Sequence, residues 1–264
     1  MLPIHIITVV HNGMPFIAQQ IEVFKMLPFR WRWSISEGIT PIPKDFNKPG
    51  NIASYMHNNG LSVDGTHEYL KLLSEVSNVF VTYDPDIYLT DRCNAMLKRF
   101  NEPCIAWQID CDEFWMINQI YEVVKLFEEY PEKTAARFYS KVYVGPDKFL
   151  RIETDKAGNM PWDWWRVFRW QPGCEYVKHD PPTVVLNGKH LSESAFSRDD
   201  TRALGLVFNH YAFTFRSRME WKAERYGWPG ALDGWDRLQV CQEFPQPIEK
   251  FIPHLGNGVV EREV

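Results

Sequence analysis

The sequence lacks several features that define well-known classes of protein. No uninterrupted apolar stretch approaches the roughly 20 residues that a membrane-spanning helix requires. The five cysteines are odd in number and form no Cys-x-x-Cys pair, so neither a disulfide framework nor a zinc knuckle is indicated. Positive charge is not in excess, since 29 Lys and Arg stand against 34 Asp and Glu, which argues against a nucleic-acid partner.

Further absences bear on organisation and location. The sequence has no internal repeat and no Gly/Ser-rich linker, so we expect a single domain over residues 1–264. The pattern of predicted elements changes near residue 133, which divides this domain into halves at 1–132 and 133–264. Residues 1–5 lack the basic and apolar regions of a signal peptide, and the cysteine usage fits a reducing compartment. We therefore expect a cytoplasmic protein.

The first half alternates strand-like and helix-like segments. Residues 4–10 are apolar and β-branched without polar alternation, which is typical of a strand buried on both faces of a parallel sheet. Residues 16–27 carry apolar side chains near helical spacing, and strands are expected at 31–36, 76–83 and 104–109. This alternation predicts an α/β fold with a mostly parallel sheet flanked by helices, whose ligands bind beyond the carboxyl ends of the strands.

The second half has a different pattern. Residues 134–144 alternate apolar and polar side chains as an antiparallel strand does, and residues 173–179 and 183–186 predict further strands. We therefore expect a smaller antiparallel portion beside the parallel sheet. A basic helix is expected over residues 215–226, and the Pro- and Gly-rich tail from Trp228 is expected to be weakly structured.

The most informative stretch is an apolar strand that ends in three carboxylates. Asp110, Asp112 and Glu113 follow it directly, and adjacent like charges near a core are costly. A positive group is therefore expected there. A divalent cation such as Mg²⁺ or Mn²⁺ is the simplest candidate, because it takes one or two carboxylates and completes its shell with substrate phosphates. A solvated acidic turn is the alternative that the local sequence leaves open.

Polar residues also follow two other strands. His11 and Asn12 come after the first strand and Glu37 ends the second, so all three are expected at the carboxyl edge of the sheet. Capping of a turn is the alternative for His11 and Asn12, and a solvated loop acid is the alternative for Glu37. Further along, Thr66 is expected to cap a helix over residues 67–74.

Six short segments, taken in order, carry a family resemblance. They are Thr8–Gly13, Asp64–Thr66, Asp91–Asn94, Ile109–Asp112, Arg166–Arg169 with Tyr176 and His179, and Asn209–Tyr211 with Arg218 and Lys222. This ordered set resembles the family-2-type glycosyltransferases of the GT-A fold and covers about residues 4–226. Two departures stand out. The second strand ends in Ser36-Glu37-Gly38 where the family more often has paired Asp residues, and residues 39–60 read as an insertion.

The resemblance implies an enzyme that moves a sugar from a UDP- or GDP-sugar to a glycan or other hydroxyl acceptor, with inversion at the anomeric carbon. Residues 1–132 would bind the donor and residues 133–264 the acceptor. Asp110 and Asp112 would hold Mn²⁺ or Mg²⁺, with His210 as a third ligand unless it is a core or cap histidine. The donor nucleotide and its diphosphate would be bound by Val10, His11, Asn12, Glu37, Arg92 and Asp110, with an ordinary surface position on its helix as the alternative for Arg92. Scattered aromatic residues leave a peripheral membrane contact open.

Two residues are candidates for the catalytic base that takes the proton of the acceptor hydroxyl. Asp163 lies between Trp162 and Trp164, whose apolar rings would favour its protonated form and could stack on an acceptor sugar. Ordinary core packing is the alternative for these tryptophans. Asp180 follows His179 in the segment that resembles the family, and the sequence does not decide between the two aspartates.

Two other classes of function stay open. A nucleotidyltransferase that makes nucleotide sugars would need a Gly-rich, basic phosphate loop after its first strand. Residues 11–15 read His-Asn-Gly-Met-Pro instead, which counts against that class. A catalytically inactive carbohydrate-binding module would use the 11 tryptophans to stack on glycan.

Overall fold

The computed structural model describes residues 2–40, 53–100, 102–151, 163–179 and 181–263. Helices and strands alternate through the first half of the chain, and strands predominate after it. The elements in chain order are β1 (Ile4–Val10), α1 (Phe16–Lys25), β2 (Trp31–Glu37), α2 (Thr66–Leu73), β3 (Val79–Tyr83), α3 (Leu89–Lys98), β4 (Cys104–Gln108), β5 (Glu113–Phe114), α4 (Ile117–Glu129), β6 (Ala135–Val142), β7 (Lys148–Leu150), β8 (Asp163–Trp170), β9 (Cys174–His179), β10 (Pro182–Leu186), β11 (Lys189–His190), β12 (Ala195–Phe196), α5 (Arg198–Ala203), β13 (Phe208–His210), α6 (Arg216–Tyr226), α7 (Ala231–Val240), β14 (Gln246–Pro247) and β15 (Val259–Arg262).

The chain forms two compact units, each drawn from distant parts of the sequence. The first comprises residues 1–41, 57–138 and 164–206, and the second comprises residues 42–56, 139–163 and 207–264. Most of the residues that carry the predicted site lie in the first unit, whereas His210 lies in the second. A single domain with halves at 1–132 and 133–264 stays a prediction.

The main sheet of the first unit has the strand order β3-β2-β1-β4-β8-β6. Strand β1 is parallel to β2 and β4, and β2 is parallel to β3, whereas β4 and β8 are antiparallel. Helix α3 packs against β1 and β2. In the described part of the chain, no helix combines the length and the apolar character needed to cross a membrane. The predicted α/β class, with a mostly parallel sheet flanked by helices, is confirmed.

The central strands are mostly apolar, with His5, Thr8 and Gln108 as exceptions, because both faces of the sheet are covered. Ile4, Ile6 and Ile7 of β1 are at most 1% exposed, and Ile105 and Trp107 of β4 are fully buried. Each such side chain contributes about 1.5–3 kcal/mol when it is removed from water. The continuous apolar pattern of residues 4–10 and 104–109 therefore reflects burial on two faces, as the sequence predicts.

The smaller antiparallel portion takes the form of two three-stranded sheets. One has the order β11-β10-β9 in the first unit, and the other has the order β14-β15-β7 in the second. The prediction for residues 134–144 is corrected in one respect. Strand β6 runs parallel to β12 at Ala135 and Ala136 and parallel to β13 at Ser140 to Val142. The alternating pattern of residues 134–144 identified the strand correctly, but it did not indicate that these two neighbouring strands are parallel to it.

The expectation of a weakly structured tail from Trp228 is wrong. Helix α7 buries Ala231, Trp235 and Leu238, which follow one another at helical spacing. The indole Nε1 of Trp235 donates to the backbone oxygen of Phe213 at 2.7 Å. The prolines and glycines that flank this short helix obscured its apolar periodicity in the sequence.

Gly234 allows a close approach inside the second unit. A Cβ at this position would lie 1.8 Å from the backbone oxygen of Phe251, whereas one at Gly258 would lie 3.4 Å from the side chains of Ile248 and Leu150. Alanine normally stabilises a helix relative to glycine by about 1 kcal/mol. We expect Gly234→Ala to lower the free energy of unfolding instead, by about 1–3 kcal/mol, because backbone atoms must move.

Urea unfolding measures this difference. Gly258→Ala is the matched control, because its new methyl group meets ordinary van der Waals contacts. A Gly234→Ala variant as stable as the wild type would contradict the close approach of α7 to Phe251.

Candidate active site

The carboxyl ends of three adjacent parallel strands bring the predicted site residues to one edge of the sheet. Val10 ends β1 and pairs with Glu37 at the end of β2, and Gln108 ends β4 on the other side of β1. The backbone oxygen of Val10 accepts a hydrogen bond from the backbone nitrogen of Gly38 at 3.0 Å. The turns that leave these strands are therefore adjacent, as expected for an α/β sheet.

The turn after β1 is held by side chains of a second segment. Asn12 adopts a left-handed conformation with φ of 52°, and its Oδ1 accepts from the backbone nitrogen of Val63 at 2.9 Å. Its own backbone nitrogen donates to the hydroxyl of Ser62 at 2.9 Å. Half-buried His11 directly precedes it. These contacts fix the backbone beside the predicted nucleotide site.

The Asp-Gly-Thr segment completes this arrangement. The hydroxyl of Thr66 accepts from the backbone nitrogen of Gly13 at 2.8 Å, and Oδ2 of Asp64 accepts from that of Met14 at 2.9 Å. Thr66 is the first residue of α2, and Gly65 occupies the N-cap position. The prediction that Thr66 caps the helix is therefore wrong, because its hydroxyl binds the turn after β1 instead.

Glu37 is fully buried and both of its carboxylate oxygens bind protein groups. Oε1 accepts from the backbone nitrogen of Ser62 at 2.9 Å, and Oε2 lies 2.7 Å from Nδ1 of His67. The ring of His67 in turn packs edge-on against Tyr83, with 5.1 Å between centroids. Glu37 thus ties β2 to the segment that braces the turn after β1. A contact between Glu37 and a ribose stays a prediction.

Arg92 on α3 is 1% exposed and binds the end of β2. Its Nε donates to the hydroxyl of Ser36 at 2.7 Å, one terminal nitrogen donates to the oxygen of Gly38 at 2.9 Å, and the other donates to the oxygen of Ser36. Burial lowers the pKa of the guanidinium to about 10. Arg92 therefore satisfies backbone groups where the strand ends, and a diphosphate contact stays a prediction.

A buried arginine from β8 binds the carboxylates of the acidic turn. Arg166 on β8 is 2% exposed, and its Nε lies 3.0 and 2.9 Å from the two carboxylate oxygens of Glu113. A terminal nitrogen donates to Oδ2 of Asp110 at 3.0 Å and also contacts Glu113. The sequence predicts a positive group at this place, and the chain itself supplies one.

The backbone of the acidic turn is also fixed. The side-chain nitrogen of Gln20, on α1, donates to the backbone oxygens of Asp110 at 2.8 Å and Glu113 at 3.0 Å. The backbone nitrogen of Glu113 donates to the oxygen of Asp110 at 3.0 Å, which closes the turn. Thr8 secures the preceding residue, since its hydroxyl donates to the oxygen of Ile109 at 2.6 Å. The two aspartates therefore stand on a rigid support.

Burial raises the pKa of Glu113 to about 8, against the opposing attraction of Arg166. Burial acts to lower the pKa of Arg166, but the attraction of Glu113 and Asp110 outweighs it and leaves that pKa raised. Arg166 therefore stays charged. Ionised Asp110 and Asp112 with Arg166 sum to one negative charge, and to two when Glu113 is also ionised.

The remaining negative charge fits a divalent cation. Asp110 is the more accessible aspartate, with 31% of its side chain exposed, whereas Asp112 is 4% exposed. The described residues contain no group of three or more His, Cys, Asp or Glu side chains placed to hold a metal. One or two carboxylates suffice, however, where substrate phosphates complete the shell. Binding of Mg²⁺ or Mn²⁺ by Asp110 and Asp112 together with a phosphorylated ligand stays a prediction.

The other predicted site residues are placed as follows. His210 is the last residue of β13 and is 7% exposed, so its assignment as a metal ligand stays a prediction. Asp163 begins β8, but its side chain lies outside the described part of the structure, as does all of Asp180. Neither candidate for the catalytic base is tested.

Sequence reasoning missed the residues that position Asp110. Arg166 was noted only as part of a motif, and Gln108 was included only as one residue of the strand predicted at 104–109. Gln108 is 3% exposed and its Nε2 lies 3.4 Å from Oδ1 of Asp110. A polar residue at the end of an otherwise apolar buried strand is the signal that could have identified Gln108.

Comparisons with known proteins give only distant similarity. The sequence matches no family model and no curated protein. The structure matches S. aureus TarS 1–349 in complex with UDP-GlcNAc at 11% identity and a TM-score of 0.37, over 54% of this chain and 35% of that one. It matches the mannosyltransferase PcManGT from Pyrobaculum calidifontis, in complex with GDP-Man and Mn²⁺, at 12% identity and a TM-score of 0.44, over 96% and 68%.

The chain spans between about a quarter and a half of the TarS chains that it matches, namely 35%, 47% and 28% of their length. TM-scores below 0.5 at 10–12% identity are too low to establish a shared family.

The raised pKa of Glu113 generates a pH-dependent stability. A carboxyl group whose pKa rises from 4.5 to about 8 on folding stabilises the protein fully below pH 4.5 and loses that contribution as pH rises through 8. The shift corresponds to roughly 5 kcal/mol at most. We expect the free energy of unfolding of the wild type, relative to Glu113→Gln, to fall between pH 5 and pH 8.5.

Urea unfolding at the two pH values measures this change, with a Gln substitution at exposed Glu122 as the control. An unchanged difference between wild type and Glu113→Gln would refute the raised pKa.

Arg166 generates a second prediction. At about pH 9, above the raised pKa of Glu113, Arg166→Met leaves an ionised Glu113 buried without its counter-charge, so we expect a loss of about 3–5 kcal/mol in the free energy of unfolding. Arg166→Met with Glu113→Leu should recover part of the loss, because it removes both buried charges. Arg30→Met is the control, since Arg30 pairs with Glu102 while 60% of its side chain is exposed. Equal losses for Arg30→Met and Arg166→Met would contradict the structure.

Proposed function

We propose that the protein is a divalent-metal-dependent glycosyltransferase that moves a sugar from a nucleotide-diphosphate donor to a hydroxyl acceptor. The acidic turn after β4 is the observation that carries this proposal. It places Asp110 and Asp112 at the carboxyl edge of a parallel sheet, with net negative charge left after pairing with Arg166. The ordered motifs in the sequence support the same assignment.

The chemistry of donor binding explains why a cation is needed. A diphosphate and two ionised aspartates repel one another, so they can share a site only with a positive ion between them. Asp110 and Asp112 would hold Mn²⁺ or Mg²⁺, and His210 is proposed from the sequence as a third ligand. When bound, the ion stabilises the negative charge that develops on the departing nucleoside diphosphate.

The residues of the chain would bind and orient the donor. We propose that the turn at Val10, His11 and Asn12 contacts the nucleotide. Support comes from the hydrogen bonds that Ser62 and Thr66 make to this turn, because a fixed backbone loses little conformational entropy when a ligand binds. We also propose that Glu37 and Arg92 contact the donor, in addition to the structural hydrogen bonds that they already make.

The acceptor side of the proposal rests on sequence. A UDP- or GDP-sugar would donate to a glycan or other hydroxyl compound with inversion, and a carboxylate would take the hydroxyl proton. Asp163 and Asp180 are the two candidates for that base. Each would have to lie within hydrogen-bond reach of the acceptor hydroxyl, and replacement by Asn would then abolish transfer without weakening donor binding.

Donor binding gives a direct test of the metal assignment. We expect UDP or GDP to raise the unfolding temperature of the wild type only when Mn²⁺ is present, because the ion must offset the repulsion between phosphate and aspartate. The double variant Asp110→Asn, Asp112→Asn should abolish this rise. It should also lower the rate of sugar transfer by about 100-fold or more, which is the usual effect of removing a group that stabilises charge in the transition state. Thermal shift and transfer from UDP- and GDP-sugars are the measurements.

Asp91→Asn, an exposed acid on α3, is the matched control and should behave as the wild type. Circular dichroism checks that the double variant is folded. Full activity in that variant would refute the metal assignment. Stabilisation by glycan alone, without any nucleotide effect, would indicate a carbohydrate-binding module instead.

A further inference from the structure

The amide of Gln108 has only one favourable orientation. Tyr176 on β9 donates its hydroxyl hydrogen to Oε1 of Gln108 at 2.7 Å, and both side chains are buried. Burial raises the pKa of Tyr176 well above its usual value, so the hydroxyl remains a donor. A phenol hydroxyl that donates requires an oxygen opposite it, which directs the NH₂ group of Gln108 the other way.

That NH₂ group faces two partly exposed side chains. Its nitrogen lies 3.4 Å from Oδ1 of Asp110 and 3.4 Å from Nε2 of His179. The two hydrogens of the amide nitrogen can serve both of these groups if the ring of His179 accepts at Nε2, which corresponds to its Nδ1–H tautomer. A flipped amide would instead set its oxygen against the carboxylate of Asp110, which repels it.

The carboxylate of Asp110 is consequently held at both oxygens. Gln108 binds Oδ1, and Arg166 binds Oδ2 at 3.0 Å. A carboxylate has about four lone-pair positions, so these two donors leave others on the 31%-exposed side chain for an ion. A metal-ligating carboxylate that is already fixed loses less conformational entropy when the ion binds.

Tyr176 is itself fixed from helix α3. The side chain of Asn94 accepts from the backbone nitrogen of Tyr176 at 2.9 Å and donates to its backbone oxygen at 2.8 Å. The ring of Tyr176 packs edge-on against Phe168, with 5.9 Å between centroids. A continuous chain of contacts therefore runs from Asn94 through Tyr176 and Gln108 to Asp110.

We propose that Gln108, oriented by Tyr176, is a positioning residue that sets the carboxylate of Asp110 for cation binding during transfer and fixes the ring of His179. The role in transfer rests on the proposed glycosyltransferase function. The orientation of the amide, the carboxylate and the imidazole is independent of that function, so it can be measured separately.

The first experiment needs neither metal nor substrate. The side-chain NH₂ signals of Gln108, assigned by their loss in Gln108→Met, are followed in ¹⁵N-labelled protein. We expect them to shift in Tyr176→Phe and in Asp110→Asn, and the ¹⁵N signals of His179 to show the Nδ1–H tautomer in the wild type but a mixture of tautomers in Gln108→Met. Unchanged Gln108 signals in both variants would overturn the proposal.

The second experiment measures Mn²⁺ affinity by electron paramagnetic resonance in the presence of UDP and of GDP. Loss of a residue that hydrogen-bonds to a metal ligand typically lowers metal affinity about 10- to 100-fold. We therefore expect Tyr176→Phe and Gln108→Met each to weaken Mn²⁺ binding about tenfold. The double variant should be no weaker than the worse single variant, because both act through one amide. Tyr69→Phe is the control, since its hydroxyl donates to the backbone oxygen of Ala18.

The outcomes separate the two claims. Additive losses, or a loss in Tyr69→Phe equal to that in Tyr176→Phe, would overturn the positioning role. Absence of Mn²⁺ binding to the wild type with either nucleotide would refute the proposed function, whereas the NMR signals would still decide whether Gln108 orients Asp110 and His179.

Discussion

The site depends on one buried guanidinium. Arg166 reaches from β8 to the turn after β4 and binds Asp110 and Glu113 at once, which allows three carboxylates to follow a fully buried strand. A single exposed ion pair contributes little to stability, but a buried charge with two partners becomes costly when either partner is removed. The same arginine lowers the net negative charge of the turn and so reduces the repulsion among its three carboxylates.

The sequence predicted the α/β class and the central strands because their periodicity is local. A run of β-branched residues such as 4–10 reports burial on two faces without reference to any other part of the chain. Pairings over long separations are different. Arg166 lies 53 residues from Glu113, and Tyr176 lies 68 residues from Gln108. Only the order β1-β4-β8 in the sheet brings Arg166 beside the acidic turn, and that order is not encoded in any short window of sequence.

The polar residues at the sheet edge show a second limit of sequence reasoning. Asn12 and Glu37 were expected there because each stands where a parallel strand ends, and they do lie there. Their side chains are nevertheless engaged by Val63, Ser62 and His67. A polar residue after a strand can serve the fold, a ligand or both, and residue type alone does not distinguish these uses. Thr66 illustrates the same point, since a hydroxyl suited to capping a helix binds a neighbouring turn.

The contact between Asn94 and Tyr176 has a consequence beyond the site. Strand β9 is an outer strand of its three-stranded sheet, and outer strands offer unpaired peptide groups to other chains. The amide of Asn94 reproduces the donor and acceptor of a neighbouring peptide and so occupies that position at Tyr176. One side chain thereby occupies the peptide groups of Tyr176 that an added strand would need, at the same residue whose hydroxyl binds Gln108.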